Sequence, residues 1–149
     1  MSTRAYTTRR SAIVNAFVTK LEAIDGTGGF LTTLHDVSPR LKFWDEVTEF
    51  PAVHVNAGSE TREYLGAGEK FRFLTLTFRC YVHDEDPVEA LEQLMEDVET
   101  MLETNNPITY TDNLGNTIHT IQTSIISIDT DEGVLDPYGI GEIIATVQY

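Results

Sequence analysis

Residues 78–103, FRCYVHDEDPVEALEQLMEDVETMLE, change their apolar period halfway along, and that change decides the fold class. Up to Val82 the apolar residues alternate. Leu74, Leu76, Phe78, Cys80 and Val82 fall on one face of a strand, with Phe73, Thr75, Thr77, Arg79 and Tyr81 on the other. After His83 the spacing becomes three and four: Val88, Leu91, Leu94, Met95, Val98, Met101 and Leu102 form the stripe of an amphipathic helix. Asp86, Pro87 and Glu89 mark its start, as cap, first-turn proline and an acid three residues after the cap. Glu92, Glu96, Glu99 and Glu103 lie on the other side of that helix.

Upstream, Pro51 opens AVHVNAGSETREYL, with Val53 and Val55 on one face and His54 and Asn56 on the other. Gly66 and Gly68 supply a turn into the long strand, so the two runs read as a hairpin. Its arms exceed the usual strand length of about five or six residues. The tip, from Tyr64 to Phe73, is therefore expected to project beyond the domain. Farther upstream, Ile13, Phe17, Leu21 and Ile24 predict a helix from Thr8 to Asp25, capped by Thr7 or Thr8 and ended at Gly26. FLTTLHDV, residues 30–37, has strand composition, and downstream TIHTIQTSIISID and GEIIATVQY read as two further strands. The order predicts one α+β domain over residues 1–149: two helices packed on one face of a mainly antiparallel or mixed sheet, with a long projecting β-hairpin.

The formal charge of −14 is divided unevenly. Residues 1–79 hold all ten Lys and Arg against nine acids, while residues 80–149 hold fifteen acids and no base. Attraction to phosphate, which dominates nucleic-acid affinity, is missing from the second half, so a nucleic-acid binder is not expected. No apolar run reaches the roughly 18 residues of a membrane helix, and Asn15 interrupts the short one near the start, so a soluble protein of the cytoplasm is expected, with no membrane partner. The single cysteine, Cys80, reads as a small core side chain.

Sites with chemistry find little support. The acidic helix could offer paired carboxylates or cation ligands, but its acids lie opposite the apolar stripe, where water screens them; a solvated or partner-facing surface is the better reading. If Asp129 opened a calcium loop, the required Gly would fall on Val134 and the bidentate Glu on Ile140. His35, His54, His83 and His119 have no paired spacing for zinc. GTGG follows a helix and lacks the lysine of a phosphate cradle, and there is no Gly-x-Ser-x-Gly elbow. No enzyme activity, metal or cofactor is expected.

Three blocks, EFPAVHVNAGSETREYLGAGEKFRFL (49–74), LEQLMEDVETMLE (91–103) and IDTDEGVLDPYGIGEIIATVQY (128–149), resemble in that order the tail terminator proteins of long, non-contractile phage tails. The resemblance runs from Arg9 to Tyr149. It implies a structural virion protein, assembled in the host cytoplasm, that forms a ring, typically of six subunits, at the head-proximal end of the tail tube. Such a ring ends tube growth and receives the head connector. The implied partners are further copies of itself, the tube protein, the head-completion protein and the tape-measure protein, with genomic DNA passing through unbound. The expected assembly surface comprises Glu63, Tyr64, Leu65, Lys70, Phe71, Phe73, Tyr81 and Tyr138. The Glu92, Glu96, Glu99, Glu103 row is expected to line the channel or the outer wall. Two alternatives stay open at this point: another phage assembly protein, such as a tube subunit or head–tail adaptor, and a small metal-dependent hydrolase.

Overall fold

The computed structural model describes residues 9–149. Helix α1 spans Arg9–Glu22, shorter at its C-terminal end than the periodicity suggests, because Asp25 leaves the helix to bridge Thr33. Its expected cap, Thr7 or Thr8, lies outside the described residues. Of the segment 30–37, only its end is a strand: β1 is Asp36–Ser38, stopped by Pro39. A short 3-10 turn, Trp44–Glu46, leads to β2 (Ala52–Gly66) and β3 (Glu69–His83). Helix α2 follows, Pro87–Thr104, with the Asp86 carboxylate accepting from the Glu89 amide at its start. The chain closes with β4 (Thr109–Thr111), β5 (Thr117–His119), β6 (Gln122–Thr130) and β7 (Tyr138–Gln148).

Five strands form one sheet in the order β1-β2-β3-β7-β6, with only the β1–β2 pair parallel. The segment expected to be one strand at 117–129 is two, since β5 folds back on β4 in a separate two-stranded sheet. That hairpin turns at Asp112, whose carboxylate accepts from the amides of Leu114 and Asn116, an Asx turn that redirects the chain.

Both helices pack on one face of the sheet. Val53, Val55, Leu74, Leu76, Phe78, Cys80 and Val82 meet Ile143, Ala145 and Val147 there, beneath Phe17 and Leu21 of α1 and Leu94, Val98 and Met101 of α2. Phe17 meets Phe78 edge to face, 5.6 Å between centroids. Fully burying each such side chain is worth about 1.5–3 kcal/mol, so this face holds the fold. Burial also pushes the Cys80 thiol up to about 12, leaving it protonated and unreactive.

Two features let α2 lie close. Gly139 and Gly141 sit on the core face of β7 beneath it; a Cβ on Gly141 would stand 2.6 Å from Met95 Sδ, and one on Gly139 2.8 Å from Val82 Cγ2. Asp97 lies beside the apolar stripe, 2% exposed, and its carboxylate accepts from the Leu31 amide (2.9 Å) and from both the amide (2.7 Å) and hydroxyl of Thr32. One buried carboxylate thereby ties the loop after α1 to α2. Val88 departs from the expected stripe: it is half-exposed near the helix start, beside Gly133.

Asp97→Ala would leave two amides and a hydroxyl without their acceptor. It is expected to cost about 2–3 kcal/mol, read in urea unfolding as a lower midpoint at unchanged slope. A variant with the wild-type midpoint would contradict this role.

Candidate assembly surface

β2 and β3 each run fifteen residues, and the hairpin outgrows the sheet that holds it. β3 pairs with β7 from Phe73 to His83 and with Tyr149 at Arg72, so from Phe71 to the tip no other described strand lies beside the two arms. Gly66, Ala67 and Gly68, all with positive φ, turn the tip. Tyr64 and Leu65 there are mostly exposed, and the Lys70 ammonium lies 5.5 Å from the centre of the Tyr64 ring. On the face away from the helices, Phe71 opposes Glu63 and Phe73 opposes Thr61; the two half-buried rings lie 6.5 Å apart. The structure thus brings Glu63, Tyr64, Leu65, Lys70, Phe71 and Phe73 into one projecting element.

Two expected members do not join them. Tyr81 shares the outer face of β3 but is only 2% exposed: the loop through Val47 and Phe50 folds over it, and its hydroxyl donates to the Lys42 carbonyl at 2.9 Å. Strand alternation assigns its face correctly but cannot show that a distant loop covers that face. The same cover buries His54, whose Nε2 lies 3.0 Å from Asp36 Oδ2. Tyr138 pairs with His83 at the end of the sheet opposite the hairpin tip and stacks there with His83 (4.6 Å) and Phe50 (5.8 Å).

Glu92, Glu96, Glu99 and Glu103 form a fully exposed row on α2, turned away from the sheet and separate from the hairpin. The open sheet face is mostly uncharged, with Thr75, Thr77, Ile144 and Thr146 at its centre. Its Arg79 is held by Glu142, Nε at 2.8 Å and Nη2 at 2.6 Å from the same oxygen. Among the described residues, no three His, Cys, Asp or Glu side chains converge as metal ligands, and no helix is long and apolar enough to cross a membrane.

One polar cluster has no precedent in the sequence patterns. A register shift between Ala57 and Glu60 inserts an extra residue in β2 and turns Glu60, opposite Leu74, toward the helix side. Its carboxylate, 6% exposed, accepts from the Tyr149 hydroxyl and from Arg62 Nε at 2.7 Å, with Arg10 Nε 3.9 Å away. Burial alone would raise the Glu60 pKa; the hydrogen bonds from Tyr149 and Arg62 and the charges of Arg62 and Arg10 outweigh it, so the net shift is downward. The Tyr149 hydroxyl is pushed well up, by burial and then by the carboxylate it faces. Because the Glu60 pKa is lowered by folding, its contribution is present above the unfolded glutamate value and is lost as pH falls through the lower folded one.

A mainly antiparallel sheet with helices on one face and a hairpin extending past it leaves exposed apolar surface at Tyr64 and Leu65 of the kind that proteins of larger assemblies present. Residues 7–149 match the family described as Bacteriophage Tail Tube Terminator Protein, and the chain belongs to that family. It is a structural protein of the phage tail. It is 35% identical to tail tube terminator protein p142 of Escherichia phage T5, over 94% of this chain and 92% of that one. A chain from the virion of a native gene transfer agent particle shares the fold, with TM-score 0.56 and 9% identity over 92% of this chain and 93% of that one.

Replacing residues 63–70 by a two-residue turn removes surface that holds no core side chain. The variant is expected to keep the wild-type circular dichroism and a cooperative melt while losing most of its assembly onto tubes. Normal tails, or an unfolded domain, would count against it.

Proposed function

We propose that this protein closes into a ring of six subunits on the head-proximal end of the tail tube, ends tube growth there, and presents the docking surface for the head connector. The observation that carries the reading, beyond family membership, is the pair of sheet edges that no described strand covers. Among the described residues no strand lies outside β6, where the Asn106 side chain engages only the backbone of Thr123, and none lies beside β2 past His54, where Arg10 engages only the Gly58 carbonyl of the edge, because β1 covers Ala52 to His54. Successive antiparallel pairings make β2 and β6 run in opposite directions. A second copy continuing the sheet with the same face outward therefore sets its β2 antiparallel to this β6. That contact joins two different patches, and repeated with rotation it closes a ring.

The β6 edge supports this. QTSIISIDT has neither Lys nor Pro; it carries a bulge, a feature that blunts an edge, but the residue left unpaired there, Ile126, is apolar and 61% exposed, surface that a partner would cover. The projecting hairpin supplies reach toward a neighbour or toward the tube protein, and the opposite end of the sheet remains for head-side partners. Contact with the tape-measure protein would come from the tube side. Assembly takes place in the host cytoplasm in this reading.

The channel of the ring is net negative and carries DNA without holding it. Basic groups around a channel would bind phosphate through counterion release, whereas carboxylates keep the duplex near the axis. The α2 row, wholly acidic, meets this condition, and on the mostly uncharged open sheet face Arg79 is already engaged by Glu142.

Added to polymerising tube protein, the purified protein is expected to halt elongation and to appear in electron micrographs as a closed ring at one tube end. Long filaments made of this protein would instead indicate a tube subunit. A duplex-binding assay at physiological salt is expected to show no complex, and tight binding there would contradict an acidic channel.

A further inference from the structure

The hairpin that this reading makes an assembly element is held at one particular level. Arg10 of α1 donates to the Gly58 carbonyl, inside the register shift of β2, and places its Nε 3.9 Å from Glu60. Tyr149 exchanges both backbone hydrogen bonds with Arg72 of β3 (2.9 and 3.2 Å), and the Arg72 guanidinium lies 5.6 Å from the centre of its ring. The Tyr149 hydroxyl reaches across to Glu60 of β2. Helix α1, the residue that follows β7 and both hairpin arms thus meet around one carboxylate. Past that level no other strand of the described residues lies beside the arms.

A buried carboxylate is costly unless it is paired and hydrogen-bonded, and Glu60 at the bulge is both. An apolar residue opposite Leu74 would extend the core and stabilise the domain equally well, but it would fix no direction, since dispersion contacts tolerate sliding and rotation. Two guanidinium groups and a hydroxyl converging on one carboxylate accept one geometry.

We propose that Glu60 is the positioning residue of the hairpin, holding its outer half at a fixed angle to the body so that each subunit meets its neighbour or the tube already set for assembly. The proposal rests on the assembly role given to the hairpin above. Its own content is separable: losing the Glu60 charge frees the tip and leaves the core intact. Preorganisation of this kind favours assembly by removing the cost of ordering the tip at the moment of contact.

Hydrogen–deuterium exchange of Glu60→Gln, compared with the wild type peptide by peptide, tests it. Exchange in residues 61–72 is expected to rise about tenfold or more, the equivalent of one lost charge-assisted hydrogen bond. Residues 75–82 and 139–147 are expected to keep their protection, and capping of tubes by the variant to weaken. Tyr149→Phe, which removes one donor and keeps the ring beside Arg72, should move the same tip peptides less. Should Glu60→Gln fail to fold, the Tyr149→Phe tip peptides decide. Unchanged tip exchange, or a uniform rise through the core strands, would overturn the proposal. If the wild type itself neither closes rings nor caps tubes, the proposed function fails, while the exchange comparison still decides the role of Glu60.

Discussion

β3 has two roles along one strand, and the rest of the structure depends on where the change occurs. From Leu74 to Val82 its alternate side chains lie under both helices and beside β2 and β7, at the centre of the core. From Phe71 back to Glu69 it leaves that sheet and, with β2, forms a two-stranded ribbon. Isolated ribbons are marginal in water. This one holds its direction through what is attached at its base: the shifted register of β2, the Glu60 carboxylate, and Tyr149 paired with Arg72. The chain places charge and hydrogen bonding where the apolar core stops.

Much of this was legible in the sequence because it rests on periodicity. The alternation through Val82, the cap at Asp86 and the Gly66–Gly68 turn give β3, α2 and the hairpin nearly to the residue, since burial on one face leaves a period in a single strand or helix. What the sequence hid depends on contacts between distant segments. Tyr81 has the pattern of an exposed outer-face residue and is covered by a loop more than thirty positions upstream. Asp97 looked like one more acid on an acidic helix, although its place three residues after Leu94 and four before Met101 puts it against the apolar stripe. Glu60 gave no signal, because a register shift selects which side of β2 it faces. Gly139 and Gly141 gave a weak one: two glycines in a strand otherwise rich in β-branched residues mark a close approach by something else.

The charge asymmetry also acquires a spatial meaning. Four of the bases gather on or at the base of the hairpin: Arg10 and Arg62 at Glu60, Arg72 on Tyr149, Lys70 by Tyr64. Most acids of the second half lie on α2 and on the turns at the opposite end of the sheet, while Glu142 pairs with Arg79 on the open face. Subunits with this distribution repel one another through their acidic surfaces and must approach through specific edges, which favours a defined ring over indiscriminate aggregation.

The central claim is that one subunit's free β2 edge pairs with the next subunit's β6. Disulfide trapping tests it directly, because the native thiol of Cys80 is fully buried and engineered cysteines would react alone. Thr61→Cys would be combined in turn with Gln122→Cys, Ser124→Cys and Ile126→Cys, and assembled tails oxidised and run without reductant. The account predicts that one pairing gives a ladder of covalent species ending at six. Assembled tails that yield only monomer with every pairing, or chains that continue past six, would contradict it.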